Sequence, residues 1–181
     1  MQSTFALLTI GDLPAHPLIV HGVVVLLPLA ALGALLMALM PSLRRRMGVA
    51  VLLLAVAGVG AVPLATRTGE ELKAALPPDN PLIEAHEQRG DELLPYALAF
   101  GIAVVLLVIA GRLADRERSA APSSTDTGGD SQAGTAPRTW RRIALVAAAL
   151  VAFSAVAVTV QVVRVGHSGS TAVWQGVGTG R

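Results

Sequence analysis

The sequence predicts an all-α fold: an integral membrane four-helix bundle with a short helix on its outer surface. Three observations predict it. Hydrophobic residues fill 53% of the 181 positions and charged residues only 14%, with a mean hydropathy of +0.62, far from the balance of a water-soluble domain. Four apolar stretches, 18–40, 49–66, 93–111 and 143–163, approach or exceed the roughly 20 residues that cross a bilayer as a helix. These runs are continuous rather than alternating and too few to close a barrel, and an open sheet edge cannot sit in lipid. The chain, 1–181, therefore reads as a single transmembrane domain.

The opening segment, MQSTFALLTIGDLPA, lacks the positive n-region of a cleaved signal and is expected to persist. The first span begins in HPLIVHG, with Pro17 suited to a first helical turn. His16 is expected at the lip of the bundle and His21 one turn deeper, pointing inward. The loop PSLRRRMG follows, and the second span ends at ATRTGEEL. In the next loop Asn80 and Pro81 form a helix start, cap and first-turn proline, so LIEAHEQR is expected as the short surface helix. Gly90 would end that helix and Asp91 cap the third span. After the third span, residues 119–137 lack periodicity and burial-competent side chains, and read as a flexible cytoplasmic linker. No internal repeat is legible.

Charge sets the orientation. Arg44, Arg45, Arg46, Arg112, Arg116, Arg118, Arg138, Arg141 and Arg142 fall in the first and third loops, whereas Arg67, Lys73, Arg89, Arg164 and Arg181 on the other side are outnumbered by acids. The positive-inside rule places the first and third loops in the cytoplasm and both termini outside a bacterial plasma membrane. The lipid bilayer is the first partner implied. Because topology accounts for the basic residues, the pI of about 9.9 does not imply nucleic acid.

The chain has no cysteine, which excludes disulfides, thiolate metal sites, iron–sulfur clusters and covalently attached haem. No phosphate loop, nucleophile elbow or carboxylate within a span is present, so hydrolase and pump chemistry lack a mechanism and no enzymatic reaction is visible.

All four histidines, His16, His21, His86 and His167, fall at the outer end of this topology. Three readings compete. Each ring can be an interfacial residue bonded to carbonyls or water, leaving a structural or partner-binding subunit. Two rings can ligate haem b, pairing His21 with His86 or His167 while His16 serves as lip residue and Arg67 and Arg164 meet the propionates. Gly22, Ala57, Gly58, Gly60 and Gly101 would leave a slot between helices for the macrocycle. The third reading is a transition-metal ion on His16, His21, His86 and His167 with Glu87, Glu70 or Glu71 as oxygen ligands. In the fourth span, Thr159 and Gln161 are expected to hydrogen-bond across the bundle.

HPLIVHGVVVLLPLA, ATRTGEEL, EAHE and GHSGSTAVWQG together resemble the bacterial membrane-protein family catalogued as domain of unknown function 2231, across essentially the whole chain except the linker. The most specific elements are the HPxxxH opening and the closing GHSG with its tryptophan. The resemblance implies four spanning helices, the family's marked positions at His16, His21, His86, His167, Gly69 and Trp174, and relatives joined to redox domains such as Rieske or cytochrome c units. Membrane or extracytoplasmic redox proteins are therefore the expected partners. The plan is also similar to the four-helix membrane cytochromes b, but those place ligands on both sides of the membrane, so a second haem near the cytoplasm is not expected here.

Overall fold

The computed structural model describes residues 9–10, 13–76, 80–120 and 139–175. Four long helices follow a two-residue antiparallel pairing, Thr9–Ile10 (β1) with Leu13–Pro14 (β2): α1 is Ala15–Leu39, α2 Pro41–Ala74, α3 Pro81–Ala120 and α4 Thr139–Trp174. Each helix contains an apolar window long enough to cross a membrane. The predicted four-helix bundle is the fold observed.

The helices outrun their apolar spans. At 1.5 Å per residue, the 40 residues of α3 extend about 60 Å, twice the hydrocarbon core of a bilayer. Two expectations change as a result. The separate surface helix does not exist: LIEAHEQR forms the opening turns of α3, and Gly90, Asp91 and Pro95 lie inside that helix. Asn80 does cap its start, its Oδ1 accepting the Leu82 N–H at 3.0 Å. Gly90 costs an isolated helix only ~1 kcal/mol, less than packing returns. Likewise PSLRRRMG is not a loop but the first turns of α2. Met40 alone separates α1 from α2; the proline after it disfavours helical geometry there (φ −122°, ψ 96°), and Pro41 restarts the helix as its first residue. Of the stretch read as a linker, Ser119 and Ala120 finish α3 and the remainder lies outside the described residues.

Sequential helices are antiparallel neighbours, and α1 also packs on α4, closing a ring in which α1 and α3 are diagonal. Leu27, Met37, Phe100, Val104, Leu107, Val151 and Val158 fill the centre, while Leu18, Val25, Leu29, Leu53, Leu64, Phe153 and Val163 are exposed around the outside. An outward face this apolar requires lipid as its solvent. Gly58 accounts for one close approach: a Cβ there would stand 2.9 Å from Leu27 Cδ2. That glycine is filled by a neighbouring helix, the use of small residues common in membrane bundles, and opens no slot for a macrocycle.

Candidate functional site: a paired-histidine cavity

Because α1 and α3 start where α2 and α4 end, their polar extensions meet at one end of the bundle. There they enclose a cavity of about 440 Å³ lined mostly by apolar side chains, among them Val20, Val62, Leu72, Val162 and Trp174. His16, His21 and His86 also line it.

His16 lies in the first turn of α1, half-buried against α2. Its Nδ1 lies 3.0 Å from the Ala65 carbonyl and 3.4 Å from Thr68 Oγ1. A carbonyl can only accept, so Nδ1 carries the proton. Thr68 donates its own hydroxyl hydrogen to Leu64 and Ala65, at 2.9 and 3.1 Å. Gly69 permits the approach, since a Cβ on it would fall 2.9 Å from His16 Cε1.

His86, in the second turn of α3, repeats this arrangement against α4. Its Nδ1 is 3.1 Å from Ser168 Oγ, and Ser168 donates to the Val165 carbonyl at 2.8 Å. Having spent its proton, Ser168 accepts from His86, which fixes the same tautomer. Gly169 makes the room here, its hypothetical Cβ falling 3.0 Å from His86 Cε1. Each helical hairpin thus presents one imidazole seated on a hydroxyl–glycine pair, Thr68–Gly69 or Ser168–Gly169. The sequence hides this duplication because the matching residues are few and unequally spaced.

The two ring centres are 6.3 Å apart, with planes at 78°. With Nδ1 protonated, each Nε2 keeps a lone pair for a ligand, as in metal-binding histidines whose other nitrogen is held by a carbonyl or hydroxyl. Both rings stand on helix ends beyond the apolar spans. Burial lowers the His16 pKa from its ordinary 6.5 against the opposing bond to Ala65, and neighbouring His86 lowers it further; burial likewise lowers that of His86. Both effects favour neutral imidazole, the ligating form.

The other candidates are distributed differently. His21, expected to point inward, is exposed at the cavity rim with Nδ1 against the Pro17 carbonyl of its own helix; His16, expected at the lip, is the more enclosed of the two. His167, Arg67 and Arg164 are exposed and do not line the cavity. Arg164 bonds Gln161 Oε1 at 3.4 Å. Glu87 is ion-paired with Lys73, joining α3 to α2. Among the described residues no three of His, Asp and Glu are grouped to hold a metal ion. Buried Gln161 crosses the bundle as expected, donating to the Arg89 carbonyl at 3.3 Å and Glu92 Oε2 at 3.1 Å, whereas Thr159 bonds Ala155 within α4. Sequence reasoning missed Thr68, Ser168 and Gly169; their signal is a hydroxyl residue followed by glycine in the last turns of a helix.

Fold and site together define a four-helix integral membrane protein with a paired-histidine cavity at one end. The chain belongs to the family described as predicted membrane protein (DUF2231), whose model matches residues 12–181. Comparisons with curated proteins and with solved structures find no match.

Proposed function

We propose that the cavity binds haem b between His16 and His86, making the protein a membrane redox module rather than a catalyst. The 6.3 Å between ring centres carries the reading. Metal–imidazole bonds are about 2.0–2.1 Å, so with ~1 Å from each nitrogen to its ring centre two imidazoles that would share one iron could have centres about 6 Å apart. The tautomers leave both Nε2 atoms as the ligating nitrogens, and an apolar cavity of about 440 Å³ is within the usual size range for a cofactor site. This pairing replaces His21 with His16. Lys73, rather than Arg67 or Arg164, lines the cavity, and it would meet a propionate by exchanging its ion pair with Glu87. Bound haem iron supplies one-electron chemistry; the chain contributes two oriented neutral imidazoles and an enclosure that restricts water.

The excess of arginine between the first and second spans and between the third and fourth supports an orientation with this end and both termini outside the plasma membrane, where an extracytoplasmic or membrane redox protein would be the partner. The test is spectroscopic. Protein purified after expression with ample haem should show a Soret band that shifts on reduction, lost in His16→Ala and His86→Ala and kept in His167→Ala. A colourless wild-type protein, or a band that survives removal of both His16 and His86, overturns the reading.

A further inference from the structure

At the opposite end of the bundle, α2 and α3 enclose a second cavity of about 560 Å³, lined by Arg44, Arg45, Arg112 and Arg116 with Asp115 as its acid. One carboxylate cannot neutralise four guanidinium groups. Asp115 is moreover shared, 3.4 Å from Arg45 and 3.7 Å from Arg118. Arg44 is set inward. Its side chain crosses α3 at Gly111, where a Cβ would collide with Arg44 Nε. That Nε is buried with no hydrogen-bond partner, a state that costs free energy unless a ligand or water satisfies it.

We propose that this cavity is a binding site for a phosphate-bearing anion. Guanidinium groups bind phosphate oxygens through paired donors. The source is either an anionic phospholipid headgroup of the adjoining leaflet, as basic pockets between spanning helices accept, or free phosphate. The site shares no residue with the histidine cavity and stands whether or not haem binds there.

The test compares thermal midpoints of the full chain in detergent with chloride or inorganic phosphate at matched ionic strength, and in nanodiscs of phosphatidylcholine alone or mixed with phosphatidylglycerol. Phosphate, phosphatidylglycerol or both should raise the midpoint. A response only to phosphatidylglycerol identifies a headgroup site, and a response only to inorganic phosphate a free-anion site. Arg112→Gln and Arg116→Gln, both exposed positions that should fold normally, should weaken the apparent affinity on the order of tenfold. Arg46→Gln, at the same end but outside the cavity lining, should leave it unchanged. No midpoint rise in any medium, or equal weakening by Arg46→Gln and Arg112→Gln, overturns the proposal.

Discussion

The two ends of the bundle use the same device for opposite chemistry. At the histidine end, Gly69 and Gly169 let a helix approach a short, stiff ring; at the arginine end, Gly111 lets Arg44 lie across α3. The imidazoles finish with their protons committed inward and lone pairs left for a ligand, whereas the guanidinium can only donate. A glycine beside an imidazole makes room that the short, stiff ring fills, so an added side chain must displace the ring. A glycine beside an arginine offers a berth that a flexible side chain can leave.

The largest break in this comparison should come from Gly69→Val or Gly169→Val. A branched side chain must expel the neighbouring ring from its hydrogen bond, so haem content measured by pyridine haemochrome should fall to near background while the helical circular dichroism signal persists. Next come Thr68→Val and Ser168→Ala, which remove the hydroxyls that hold the rings. Loss of such supporting partners generally costs about 10–100-fold in metal affinity, read here by haem titration. Equal losses at the two positions would show that the hairpins contribute equally, and an effect at only one would break the equivalence.

A smaller effect should follow at the other end. Gly111→Ala displaces Arg44, whose long side chain can swing away, so the thermal midpoint in phosphate-free detergent should correspond to a change within ~1 kcal/mol. Its midpoint rise with phosphate or phosphatidylglycerol should shrink. Smallest is Arg118→Gln. Its pair with Asp115 is more than half exposed on the arginine side, and exposed pairs contribute only ~0–1 kcal/mol, so denaturation should barely change.

The candidate site was legible in part. That the histidines would gather at one end followed from counting spans and charges, because span parity decides which ends are neighbours. His86, expected as a ligand, lines the cavity. The assignment of His21 as the inward ring and His16 as the lip depended on the rotation of α1, and no pattern within one helix reports where the next helix approaches it. Pro17, read as a first-turn residue, does sit in that turn, yet the Thr68–Gly69 pair on α2, some fifty residues away, sets the inward ring. Arg67 and Arg164 stand near the histidine end of their helices, but their azimuth turns them outside the cavity lining. The surface helix expected from Gly90 and Asp91 merged with α3 for a related reason: local breakers compete with packing partners that the local sequence does not contain.

By itself the sequence determined four membrane-spanning helices and which of their ends share a side, because lipid imposes a length and a hydropathy on each span regardless of its neighbours. Tertiary structure alone decided which imidazole faces its counterpart, which glycines make room for it, and that the Arg44 Nε is buried without a hydrogen-bond partner. Those outcomes depend on helix phase and interhelical contact, set by side chains distant in the chain that meet only when the bundle closes.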